Sequence, residues 1–199
     1  MTLPVRRLRI LASSQAHAHV SVFCPGRGQS MPLTQCTTCE HVHRVGEHEI
    51  ECSPPVEPEL ARFLAEDPRL GGDALVGEAM ATLVPCAYVD TPAGELSLAM
   101  AREHLRSVIV MDRDERFVGL VEGQDVETAP AEACLHRIVR AVAPVHERSR
   151  LASTIERMVK ERARALPVVD EAGRPAGIIS DLDALRWLSG KRAAAAPNR

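Results

Sequence analysis

One stretch of this chain occurs twice. Residues 76–126 return at 134–184 with a constant offset of 58 and no gap. Met100 is matched by Met158, Arg106 by Arg164, Val110 by Val168, Asp112 by Asp170, Gly119 by Gly177 and Asp125 by Asp183. Identities are few, but the apolar pattern between them is kept. A unit of this length present only twice is too short for a solenoid. The repeat therefore predicts two supersecondary units packed face to face across a pseudo-two-fold axis. Such a pair makes two related clefts, and a cleft is where a small ligand binds.

The chain has 199 residues, enough for one core and a small extra module. Hydrophobic residues are 45% and charged residues 26%, as in ordinary globular proteins. The net charge of −3 and an aromatic content of 3% supply neither the basic surface nor the stacking platform of a nucleic-acid binder. No apolar run approaches the roughly 18 residues of a membrane span. The first 20 residues hold only the apolar run Ile10-Leu11-Ala12, far short of a signal peptide's core. The sequence reads as cytoplasmic, with its six cysteines reduced or metal-bound.

Composition divides the chain into four sections. Residues 1–53 carry four of the six cysteines and five of the eight histidines. Residues 54–72 form a proline-rich linker with one short helix expected over Glu57–Ala65. Residues 73–190 hold the repeats, the first over 73–127 and the second over 131–190. The tail 191–199 is small and polar enough to be disordered.

Each repeat reads as strand, helix, strand, strand, helix. Leu151, Ile155, Met158 and Val159 follow helical spacing, with Ser149 as the expected N-cap. In the first repeat Thr91 is the expected cap and Pro92 the first helical residue. Leu166–Val169 and Pro175–Ile179 read as strands joined by a turn, and Asp181–Leu188 as a closing helix. Val108–Met111 and Phe117–Val121 occupy the same places in the first repeat.

The junction Gly177-Ile178-Ile179-Ser180-Asp181-Leu182-Asp183 carries the chemistry. Glycine admits a close backbone or ligand approach. Ser180 sits at a helix start, where exposed N–H groups favour a phosphate. Asp183 is able to accept two hydrogen bonds from a ribose diol. Read without context, these residues cap a helix and nothing more. With Leu166-Pro167-Val168-Val169-Asp170 ahead of it, the junction resembles the cystathionine β-synthase (CBS) domain, whose members carry Pro-Val-Val-Asp followed by Gly-x-x-Ser/Thr-x-x-Asp. The resemblance covers roughly residues 76–189. It implies an α+β fold, an α/β CBS-pair sandwich of two pseudo-symmetric units known as a Bateman module. It also implies a homodimer and an adenosine-containing ligand such as AMP, ADP or ATP. Carried over, Asp183 would hold the ribose and Ser180 would lie near the phosphate. Val142, Ala143 and Pro144, with Ala165 and Leu166, would lie against the adenine. The first repeat departs from the pattern. Its junction keeps Gly119 and Asp125, but Glu122 replaces the Ser/Thr and places a carboxylate where a phosphate would lie.

Cys24, Cys36, Cys39 and Cys52 follow C-x11-C-x2-C-x12-C. A C-x2-C pair chelates one tetrahedral metal, and two outlying cysteines complete a four-thiolate site. The flanking residues read as a small β-rich module: a strand over Val20–Phe23, a turn at Cys24–Gly28, and a hairpin over His41–Val45 and His48–Cys52. So short a module gains from a structural metal. Zinc needs the fewest assumptions, an iron–sulfur cluster also suits four thiolates, and His41 or His43 is an alternative to one outer cysteine. One C-x2-C pair instead of two makes the module zinc-ribbon-like. Cys86 and Cys134 fall in the repeats and read as small core residues.

No P-loop, paired-carboxylate motif or nucleophile elbow is present, so the chain does not read as an enzyme. The leading expectation is a regulatory protein whose CBS pair senses an adenine nucleotide or adenosyl ligand and acts in trans on a protein partner. The alternative is a metal- or thiol-based redox sensor that uses the pair as a dimerisation scaffold.

Overall fold

The computed structural model describes residues 2–11, 19–54, 74–81 and 83–189. The expected linker helix at 57–65 and the tail lie outside them. The N-terminal section contains β1 (Thr2–Ile10), β2 (His19–Cys24), β3 (Gln29–Pro32), one helical turn α1 (Leu33–Cys36), β4 (Val42–Val45) and β5 (Glu49–Cys52). A second helical turn, α2 (Val76–Ala79), precedes the first repeat, which comprises β6 (Leu83–Tyr88), α3 (Ala93–Glu103), β7 (Ser107–Met111), β8 (Phe117–Glu122) and α4 (Gly123–Thr128). After a 3-10 turn at Leu135–Arg137 the second repeat follows with β9 (Val145–His146), α5 (Leu151–Glu161), β10 (Ala165–Val169), β11 (Pro175–Ser180) and α6 (Asp181–Leu188).

The expected order of elements is present in both repeats, and α6 has the expected bounds. The helix starts differ. Pro92 and Arg150 are the N-caps, one residue later than Thr91 and Ser149, and neither makes a side-chain capping bond. The pseudo-symmetry extends to the backbone. His104 and Arg162 hold equivalent positions after α3 and α5, and both adopt the left-handed region, with φ of 54° and 53°. Gly173, at φ 76°, serves the β10–β11 turn, and Glu115 takes the same turn in the first repeat at φ 61°. Glycine holds this conformation freely, whereas a β-carbon costs about 1 kcal/mol there.

β1 belongs to two cores. Its start pairs antiparallel with β5, its middle antiparallel with β2, and its end parallel with β6. Leu3 and Val5 point into the cysteine module's core with Val22, Ile50 and Cys52. Ile10 points the other way, into the layer formed by Val84, Cys86, Ile109 and Met111. The main sheet therefore runs β3-β2-β1-β6-β7-β8, while β11-β10-β9 form a separate three-stranded sheet. Cys86 is fully buried, and burial alone pushes its thiol up to about 12.

The two repeats exchange the segments that precede them. Ala74, Val76, Ala79 and Met80 complete the core of the second repeat. Leu135, with Ile138 and Val139 against it, completes the core of the first. Backbone bonds follow the exchange: Gly77 N–H donates to the Glu147 carbonyl at 2.9 Å, and Leu135 N–H to the Thr91 carbonyl at 3.1 Å. Gly119 permits one such crossing. A β-carbon there would fall on the Arg140 carbonyl oxygen and 2.8 Å from Val139 Cγ2. That neighbour is backbone and cannot rotate away. Gly119→Ala is expected to lower the unfolding free energy by about 3 kcal/mol, the upper end for overpacking. Urea denaturation reads it, and wild-type stability in the variant would contradict the packing described.

Candidate functional site

In the second repeat the site is built where β11 turns into α6. Ser180 Oγ accepts the Asp183 N–H at 3.2 Å, and the Ser180 N–H and hydroxyl donate to Asp183 Oδ2 at 3.0 and 2.5 Å. This reciprocal capping box satisfies donors at the helix start and fixes the carboxylate. Asp183 is only 7% exposed, and its Oδ1 lies 3.8 Å from the Arg186 guanidinium. Helix capping thus engages both of the side chains that the sequence singles out for a ligand.

Other expected residues gather beside them. Ala165 pairs with Ser180 across the hairpin. The parallel register of β9 and β10 matches Val145 to Val168 and His146 to Val169, so Val142–Pro144 lead into β9 and are not part of it. Ala143 and Pro144 are exposed and Val142 is half-buried. The side chain of Leu166 points into the core, so it offers only backbone to a ligand. Gly177 lies against Met80 from the exchanged segment. A residue without a sequence signal holds this edge in place. Arg157 of α5 donates to the Ala143 carbonyl at 2.7 Å and the Pro144 carbonyl at 3.2 Å, and pairs with Glu161 at 3.0 Å. Its counterpart in the first repeat is Ala99.

The first repeat's junction is organised differently. Glu122 N–H donates to Asp125 Oδ2 at 3.2 Å. Arg140, on the segment crossing from the second repeat, reaches Glu122 at 2.6 Å and Asp125 at 3.1 Å. The hydrogen bond to Glu122 and the charge of Asp125 raise the Arg140 pKa above its ordinary value. Arg140 thus offsets part of the negative charge that Glu122 brings to this junction. One guanidinium faces two carboxylates, so a single negative charge remains, and the carboxylate of Asp125 is already engaged by a cation.

The four cysteines meet at a different place. Cys24, Cys36, Cys39 and Cys52 all line one open cavity of about 530 Å³, together with His41 and Arg27. None of the six cysteines is paired in a disulfide. Burial raises the Cys36 pKa, and the neighbouring Cys24, Cys39 and Cys52 raise it further, with Arg27 opposing. Turn bonds present two of the thiols: Gly28 N–H to the Cys24 carbonyl at 2.7 Å and Cys39 N–H to the Cys36 carbonyl at 3.2 Å. His43 turns away to Ser53 at 3.1 Å, which leaves His41 as the histidine at the cavity. Among the described residues, no three His, Cys, Asp or Glu side chains gather closely enough to hold a metal ion. The expected four-thiolate centre is thus a set of donors around one cavity and not a closed coordination shell.

Leu96, Met100 and Met158 are buried in their own repeats, and Ile155 packs against the second core. The apolar side chains left outward are Leu98, Val159, Leu182 and Leu185. Among the described residues no helix is long and apolar enough to cross a membrane.

Two β-α-β-β-α units that exchange their leading segments and repeat one strand-to-helix junction define a tandem α+β pair. The chain belongs to the CBS domain family, whose model matches residues 76–132 and 135–190. Solved structures share the fold. A CBS domain pair/ACT domain protein from Thermotoga maritima is 24% identical, with a TM-score of 0.52 over 60% of this chain and 100% of its own. The CBS domain pair of protein MJ0100, in complex with 5′-methylthioadenosine and S-adenosyl-L-methionine, is 22% identical, with a TM-score of 0.51 over 60% of this chain and 98% of its own. CBSX2 in complex with AMP is 19% identical, with a TM-score of 0.52 over 59% of this chain and 98% of its own. No curated protein matches the chain significantly.

Proposed function

We propose that this protein is a non-enzymatic regulatory module whose CBS pair binds an adenosyl ligand in the second repeat and acts in trans on a protein partner. The observation that carries this reading is the contrast between the two junctions. At Ser180–Asp183 a carboxylate is fixed beside Ala165, and Arg157 pins the Ala143–Pro144 edge. At Glu122–Asp125 the carboxylates are already taken by Arg140. The adenosyl complexes of MJ0100 and CBSX2 support the ligand class. AMP, ADP, ATP, 5′-methylthioadenosine and S-adenosyl-L-methionine are the candidates to titrate against unfolding. The true ligand at 100 times its dissociation constant adds about 2.7 kcal/mol of stability. Absence of any shift at millimolar concentration would favour the scaffold reading, in which the cysteine module senses metal or thiol oxidation.

In the same proposal the protein is a homodimer, joined through the outward helix faces bearing Val159, Leu182 and Leu185. The N-terminal module holds a structural zinc. Four thiols facing one cavity, turned by the two cysteine turns, suit a thiophilic divalent cation in kind, and its binding would draw the cavity closed. Protein purified anaerobically is expected to carry about one zinc per chain, and Cys36→Ser or Cys39→Ser to release it while the CBS pair stays folded. Metal analysis finding no bound metal would remove zinc from the proposal.

A further inference from the structure

The carboxylate of Glu147 is fully buried immediately after β9, yet its partners come from the N-terminal section. Ser30, at the start of β3, donates its backbone N–H to Oε1 at 2.7 Å and its hydroxyl to Oε2. The Glu147 main-chain carbonyl accepts from Gly77 of α2 at 2.9 Å. Arg6 of β1, 2% exposed, donates to the carbonyl of that same Gly77 and lies 5.5 Å from the centre of the Phe23 ring. Glu147 therefore ties the β2–β3 hairpin through its side chain and α2 through its main chain to the strand that leaves the second cleft, and Arg6 joins β1 to the same Gly77. Pro144, the last residue of the Arg157-pinned edge, is three positions before it.

We propose that Glu147 is a positioning residue that locks the β2–β3 hairpin to the Val142–Pro144 edge, so that adenosyl occupancy of the second cleft and docking of the cysteine-bearing hairpin are coupled. A buried carboxylate stripped of its donors loses both its hydrogen bonds and its compensation for lost water. The hairpin cannot lift away without releasing the acid, and the acid cannot reach water without moving β9. Hairpin docked with the acid satisfied, and hairpin lifted with the acid released, are the two states between which such a coupling element would switch. Coupling is reciprocal: whatever the ligand does to hairpin docking, hairpin docking does to ligand affinity. The ligand half of this inference rests on the function proposed above, and the lock itself does not.

Hydrogen exchange on the full chain separates the two. With saturating AMP or S-adenosyl-L-methionine, exchange across residues 20–32 is expected to slow by about fivefold or more in the wild type. Ser30→Ala and Glu147→Gln are expected to abolish that slowing and weaken the ligand by a similar factor while the protein remains folded. A purely structural Glu147 would alter stability without altering the ligand's effect on the hairpin. Unchanged hairpin exchange in the ligand-bound wild type overturns the coupling, as does unaltered transmission in both variants. Should neither probe bind, the functional reading fails, and the lock is read from the unliganded protein. Ser30→Ala must then speed exchange at 142–147, and equal rates would overturn the lock.

Discussion

Glu147→Ala is expected to cost about 3 kcal/mol or more of unfolding free energy, because it leaves both Ser30 donors without their acceptor and the buried Arg6 charge without the acid that opposes its desolvation. Glu147 is 0% and Arg6 2% exposed, so neither has water to fall back on. Burial lowers Arg6 to about 10, with Glu147 and Glu78 opposing that shift. Burial likewise raises Glu147, with Ser30 and Arg6 opposing. In both residues desolvation outweighs attraction, so their mutual attraction adds little net stability, and the loss comes from stranding the buried groups around Glu147. Removing both buried charges, as in Arg6→Met with Glu147→Gln, is expected to recover most of the loss. The pH dependence has a definite sign. The raised Glu147 favours the fold fully below the unfolded carboxylate value near 4.5, and this contribution is lost as pH rises through its higher folded value. The depressed Arg6 favours the fold only above its unfolded value, and that contribution is lost as pH falls through about 10. At neutral pH both groups therefore weigh against the fold. Urea denaturation from pH 4.5 upward is expected to show Glu147→Gln losing less stability than the wild type with rising pH. Parallel curves, or a mild Glu147→Ala, would contradict this account of two buried charges.

The second large effect is on binding. Asp183→Ala is expected to weaken AMP about a hundredfold or more, and Asp125→Ala to change it little. Charged hydrogen bonds contribute about 1.5–3 kcal/mol each, two of them span a ribose diol, and each 1.4 kcal/mol is tenfold in affinity. Asp183 is held ready by Ser180. Asp125 would first have to leave Arg140 at 3.1 Å. Because Asp183→Ala also removes a cap of about 1 kcal/mol, Asp183→Asn is the cleaner companion, expected to be folded and weak in calorimetric titration. The opposite ranking of Asp183 and Asp125 would reverse the assignment of the clefts.

The second repeat was legible in sequence because local signals agree there. Leu166–Val169 is a short apolar run, the turn holds a glycine at Gly173, and Ser180 is followed three residues on by an acid. β1 was not legible. It changes the face it buries between Val5 and Ile10, and Arg6 occupies a buried position, so neither alternation nor hydrophobicity marks it. The caps were misplaced by one residue because Thr91 and Ser149 look like caps, while Pro92 and Arg150 stand where the backbone turns. Arg157 and Arg140 act through contacts 14 and 18 residues distant, and no short-range pattern encodes such reach. The cysteine spacing located the cavity, since four thiols converge on it, but spacing alone does not fix how closely they approach.

β1 also has a meaning for solubility. By pairing in parallel along β6 it occupies the flank of a strand whose buried residues, Val84, Cys86 and Ala87, are all apolar. Stripped of β1, that flank becomes a bare sheet edge, a template on which a strand from another chain adds. Residues 2–10 therefore serve as a built-in edge guard. A shortened chain that began at the repeats would keep every cleft residue named here and still meet its own kind edge to edge.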